Sequence, residues 1–401
     1  LSKDDLHGLV LEVSIFNFKP KDHLMEKSRP KEMEEPSQED IISLVNSIFL
    51  VSDFTKAEFS LEFKIEDTDF KSKFEGLARK LEDMSYVCKL EETDDGIYVI
   101  VQKFTLRKQG KIMKSAWTPR ILFAIVIGFV MFDGYYRTSF TNSIVDIGEP
   151  LEMAVFYTLS VMGILGIHEL GHIVAAKIHG LKTTWPYFLP GIPVYGIPTF
   201  GAFIQSRGLT INREILYDVA IAGPIAGLIV AIIVSIYGAY TAPVLDQVIA
   251  DELFAQARLS DWSLGEPLLM TASLAMFGKG ELFGQVILMT PFMFAAWIGF
   301  LITFLNLLPA WQLDGGHMAR TLMGSKLHRY ATFGSIGILV LLNYWPMAIL
   351  ILIMSSKNPS ASPLDDVSPL SRKRKLSYIG IIGLAILCAP LPSNLLPNLL
   401  S

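Results

Sequence analysis

The 401-residue chain is short of charge, short of cysteine and without internal repeats. Charged residues fill only 18% of positions, too few to clothe a soluble protein of this length. Two cysteines, Cys88 and Cys388, allow no disulfide framework and no cysteine-built metal site. The first apolar run begins near residue 117, so no cleavable secretory leader is expected. The missing inverted repeats argue against a transporter with a midplane ion site. No feature supports a nucleic-acid partner.

What is present is apolar and unevenly charged. Apolar residues make up 51% of the chain and the mean hydropathy is positive. Candidate membrane segments lie at about 117–135, 153–177, 214–237, 284–309, 330–354 and 376–392. Residues 1–102 hold 23 acidic and 13 basic side chains, whereas 103–120 hold six basic and none acidic. That contrast predicts an acidic soluble region followed by a basic collar at a membrane surface. By the positive-inside rule the N-terminal part then faces the cytoplasm.

These features divide the chain. Residues 1–40 read as a polar segment and linker, 41–104 as a small soluble α+β domain, and 105–116 as the collar. Residues 117–392 form the membrane core and 393–401 a tail. Within 41–104, "AEFSLEFKIED" and "GIYVIVQKFTL" alternate as strands do, and "FKSKFEGLARKLEDMSY" has helical spacing. Such a domain is expected to be a solvated adaptor, with a regulatory partner as the other reading. Residues 330–354 carry Asn343 and Pro346 at their centre, which favours a hairpin that returns over a single span.

The segment 181–206, "LKTTWPYFLPGIPVYGIPTFGAFIQS", is apolar but broken by four prolines and three glycines. It cannot be a spanning helix, and irregular backbone at membrane depth must be shielded by protein or line a wet cavity. A re-entrant hairpin or loop is expected; an ordinary apolar surface loop is the other reading.

"GIHELGHIVAAKIHG", residues 166–180, places two histidines and a glutamate inside an apolar helix. His168 and His172 stand one turn apart on one face, so two imidazoles can meet one ion. Glu169 is turned about 100° away and can hold a water beside that ion. Ionisable groups at this depth are costly and mark function by default. A catalytic zinc wants a third protein ligand. In "NLLPAWQLDGGHMAR", 306–320, Asn306 and Pro309 break the apolar run and Asp314 follows before a glycine pair. Asp314 is the better-placed candidate, with an interfacial N-cap as its alternative role and His317 as a competing ligand. Glu214 sits with Arg213 at a span entrance, His179 reads as a surface group, and Asp218 as a buried acid that pairs with a basic loop residue or, on the other reading, opens water access.

HELGH within a span, an LDGG after an NxxP break, and a GP pair in the third span together resemble the site-2 protease family of intramembrane zinc metalloproteases, over about residues 115–392. Archaeal and chloroplast-type members are the most similar. The resemblance implies a polytopic α-helical membrane protein with a re-entrant β-hairpin beside the zinc helix, plus the small α+β domain. It implies one Zn2+ per chain on His168, His172 and Asp314, with Glu169 as general base. The substrate is a transmembrane protein within the lipid bilayer, of a cell or chloroplast membrane. A freed substrate segment needs new hydrogen-bond partners, which an edge strand supplies. Thr199, Phe200, Gly201, Ala202, Phe203 and Ile204 are the expected strand, and Asn306 a further substrate contact. A catalytically silent scaffold or chaperone on the same fold is the alternative. The chain departs from many members in having Gly227 where they carry an asparagine.

Overall fold

A computed structural model describes residues 36–103, 117–181, 183–194, 196–203, 210–256, 259, 264–357 and 362–391. The collar at 105–116, the tail at 393–401, Ile204 and most of the 1–40 segment lie outside these residues.

The first unit opens with α1 (Gln38–Ile48), started by Ser37, whose hydroxyl accepts from the Asp40 N–H while the Asp40 carboxylate accepts from the Ser37 N–H. There follow β1 (Val51–Lys56), β2 (Ser60–Ile65), α2 (Phe70–Asp83), β3 (Tyr86–Thr93) and β4 (Gly96–Lys103). The strands form one antiparallel sheet in the order β1-β2-β4-β3. Alternation decides its faces: Leu61, Phe63 and Ile65 of β2 point inward, as do Val99 and Val101 of β4. Phe74, Leu77 and Leu81 of α2 fill the same core with Ile41 and Val45 of α1.

One acid supports this unit from its edge. The Asp67 carboxylate accepts the Leu50 N–H and pairs with Lys73, which hold its pKa below the usual aspartate value. A depressed native pKa stabilises above the unfolded value, and the gain is lost as pH falls through the native one. Acidification from about pH 6 to about pH 3 should therefore weaken protection of the 51–103 amides against exchange. In Asp67→Asn that dependence should be flatter; equal slopes would remove Asp67 from the account.

Among the described residues, three helices are long and apolar enough to cross a membrane: α3 (Thr118–Asn142), α4 (Pro150–Ile178) and α5 (Arg213–Thr241). They pack side by side and turn Phe129, Phe132, Leu159, Ile229 and Ile233 outward. Between α4 and α5 the chain forms β5 (Tyr187–Pro190) and β6 (Thr199–Phe203), an antiparallel pair resting on α3 and α4. After α5 come the short α6 (Gln247–Ala255) and α7 (Leu268–Ala275), then α8 (Pro291–Leu307). Helix α8 is buried on nearly every side, as its unbroken apolar sequence requires. Its neighbours are α4, α5, α9 (Asp314–Leu341) and α11 (Arg372–Cys388). Helix α9 is interrupted at Gly324, whose backbone is non-helical, and ends at Leu341; at Asn343 (φ 64°) the chain turns into α10 (Trp345–Lys357), packed on α9. Helices α9 and α10 thus meet at a turn within the 330–354 segment.

The first unit is not loosely tethered. Ile211 and Ile215, at the start of α5, complete its core, and Val219 packs against it. Arg79 of α2 donates to the His179 carbonyl (3.1 Å), and Lys71 pairs with Glu214 (2.9 Å). From the far end of the chain, residues 364–365 bridge the two: Leu90 N–H donates to Leu364 O, and Asp365 N–H to Ile211 O.

Candidate metal centre

Helix α4 carries His168 and His172 on the face toward α5 and α8. Their Nε2 atoms are 3.2 Å apart, and each is 3.4 Å from Asp314 Oδ2. Four ligands at about 2.05 Å around zinc are separated by about 3.3 Å along each edge of the tetrahedron. The three ligand atoms thus already stand at the edge lengths of one zinc polyhedron, and they are the metal-suited group found among the described residues.

The position of each ligand follows from its helix. The His172 Nδ1–H donates to the Val219 carbonyl on α5 (2.8 Å), which leaves the Nε2 lone pair facing the centre. Asp314 is the first residue of α9, whose N-cap is Leu313 and has no side-chain cap. Its carboxylate is directed at the histidines rather than at its own helix end. The turn that delivers it is tight: side-chain carbons at Gly315 and Gly316 would lie 2.2 Å from Leu307 O and 2.3 Å from Ala310 O. Glu169, 4% exposed, adjoins His168 on the same helix. Asn306 Nδ2 comes within 3.3 Å of His168 Nε2.

Helix α5 fits closely against the two histidines. A β-carbon at Gly227 would sit 2.9 Å from the His168 Cβ, and one at Gly223 only 2.1 Å from the His172 Nε2. Neither position has room for a side chain. Gly223, Gly227 and the Val219 carbonyl were not among the sequence candidates. The one signal for them is "AIAGPIAG", small residues four apart on a long helix.

The other candidates separate cleanly. Thr199 is buried, Phe200 is 56% exposed, and Gly201 and Ala202 continue β6 with Phe203. The strand pairs with β5 on one side (Tyr187↔Phe203, Phe188↔Ala202, Pro190↔Thr199). His317 stands outside the three-ligand group. Glu214 pairs with Lys71 and Arg374, while Asp218 pairs with Arg374 (2.6 Å) and His179 (3.2 Å), at the junction with the first unit.

Residues 156–344 match the model of peptidase family M50. Among curated proteins, the chain is 29% identical to the "probable zinc metalloprotease EGY2, chloroplastic" of Oryza sativa subsp. indica, over 77% of this chain and 56% of that protein. It is 30% identical to the protein of the same name from Arabidopsis thaliana, over 57% of this chain and 40% of that one. The Arabidopsis thaliana "probable zinc metalloprotease EGY1, chloroplastic" is 29% identical over 61% and 45%. The chain thus spans about half the length of the curated relatives it matches. No solved structure matches.

Proposed function

We propose that this chain is an intramembrane zinc metalloendopeptidase, a reading supported by the match of residues 156–344 to the model of peptidase family M50 and by three helices, among the described residues, long and apolar enough to cross a membrane. It hydrolyses peptide bonds within or near transmembrane segments of other proteins. The observation that carries the reading is the tetrahedral spacing of His168, His172 and Asp314 beside buried Glu169, among apolar helices.

His168, His172 and Asp314 would hold one zinc ion, which would supply a Lewis acid for the scissile carbonyl and lower the pKa of a bound water toward neutrality. Glu169 accepts the proton of the attacking water on a carboxylate oxygen and returns it to the departing amine nitrogen. Asn306, through Nδ2, donates to the carbonyl oxygen as negative charge gathers there. The substrate helix must unwind before any of this, and its freed amides need partners. The β5–β6 hairpin is read as re-entrant, and β6 offers them its outer edge by strand addition, from Thr199 to Phe203. The first unit lies on the cytoplasmic side, where it can take a regulatory partner.

The test is a vesicle holding the protein and a single-pass model substrate. We expect about one zinc per chain and a cut inside or beside the apolar segment, abolished by a chelator and restored by zinc. A zinc-loaded chain that cuts no such substrate would leave the scaffold reading in its place.

A further inference from the structure

The turn joining β5 to β6 is held by an ion pair, its acid fully buried, that the chemistry above does not use. Asp133, in the second half of α3, is fully buried. Its carboxylate accepts three hydrogen bonds, each of 2.7 Å: from Arg137 Nε, from the Tyr157 hydroxyl on α4 and from the Val194 N–H in the turn. Arg137 reaches the same turn through Nη2 to Gly196 O (3.4 Å), and its guanidinium lies over the Phe294 ring of α8. Val194 has φ 69°. A β-branched residue does not adopt that conformation without compensation, and here its N–H is taken by a carboxylate.

The hairpin needs such an anchor. A lone two-stranded hairpin is marginal, and this one has an irregular register between Phe188 and Pro190. Pro190, Pro193 and Pro198 have no N–H to contribute. A slip of one residue would exchange the two faces of β6, burying Phe200 and exposing Thr199. Packing alone does not call for the ion pair, since apolar side chains of like volume commonly stabilise as well. What the pair adds is direction: one depth and one register for the turn.

We propose that Asp133, with Arg137, is the positioning residue of the substrate-binding strand, fixing which substrate bond is laid over Glu169. The proposal rests on the peptidase reading. It predicts that Asp133→Asn keeps its zinc and a kcat within about twofold of wild type. KM rises about tenfold, and the products spread from one bond to its neighbours, as read by mass spectrometry of the fragments. A structural role alone would lower yield without moving the cut.

A second measurement does not depend on activity. Nitroxide labels at Phe200→Cys and Leu159→Cys report the strand's position against α4; both sites are exposed, and Cys88 and Cys388 are buried. We expect one narrow distance with Asp133 and a broadened or doubled one with Asn. Arg137→Lys, which shortens the reach to Gly196, is a second variant with a milder broadening if Asp133→Asn fails to fold. An unmoved cut and an unchanged narrow distance would overturn the proposal. If the distance broadens but even the wild type cuts nothing, the positioning stands and the peptidase reading falls.

Discussion

Glu169→Gln is expected to lose cleavage by a factor of about 10²–10⁴ while holding as much zinc as the wild type. The substitution keeps the shape of the side chain and removes its ability to take a proton. Glu169 is not one of the three residues of the His168–His172–Asp314 group. Loss of rate with retained metal therefore isolates proton transfer from metal binding. Turnover of the vesicle substrate and metal content should be measured on one sample. Unchanged turnover would remove Glu169 from the chemistry; lost zinc would make it a structural support of the site.

Gly223→Ala should produce the opposite pattern, with zinc and activity lost together. The added carbon would fall 2.1 Å from the His172 Nε2, inside the ring's own volume. Either α5 must withdraw, taking the Val219 carbonyl from Nδ1, or the imidazole must rotate and lose its place beside Asp314. Removing one orienting hydrogen bond commonly costs about 10–100-fold in metal affinity. Displacing the ligand itself should cost at least about 100-fold. Gly166→Ala, on the same helix as the histidines, meets nothing within 4 Å and is the control. A zinc-replete Gly223→Ala chain would show that the α4–α5 contact yields more easily than its geometry implies.

Legibility from the sequence tracked how local each interaction is. Long apolar runs announce α3, α4 and α5 because the bilayer's thickness sets helix length. The His168–His172 pair is equally local, since four residues nearly complete one turn. Asp314 lies 142 positions from His172 and came into view through its motif rather than through any periodicity. Asn343 and Pro346, both poor residues for a helix interior, mark the break in the 330–354 run, and the chain turns at Asn343. Nothing in the sequence pairs Asp133 with Val194, however. That contact joins a helix to a turn 61 residues later through a backbone N–H, which carries no side-chain signature. Gly227 stood out only as a missing asparagine; its nearness to His168 exists only once two helices are packed.

The core shared between the first unit and α5 makes the molecule one cooperative body rather than a catalyst with an appendage. Ile211 and Ile215 leave water only when the sheet and α2 are folded over them. One turn further along the same helix, Val219 presents the carbonyl that orients His172. Folding of the sheet and the aim of the His172 ring are thus thermodynamically linked. Whatever loosens the one draws free energy from the other, and a chain cut before α3 would expose oily surface instead of releasing a minimal enzyme.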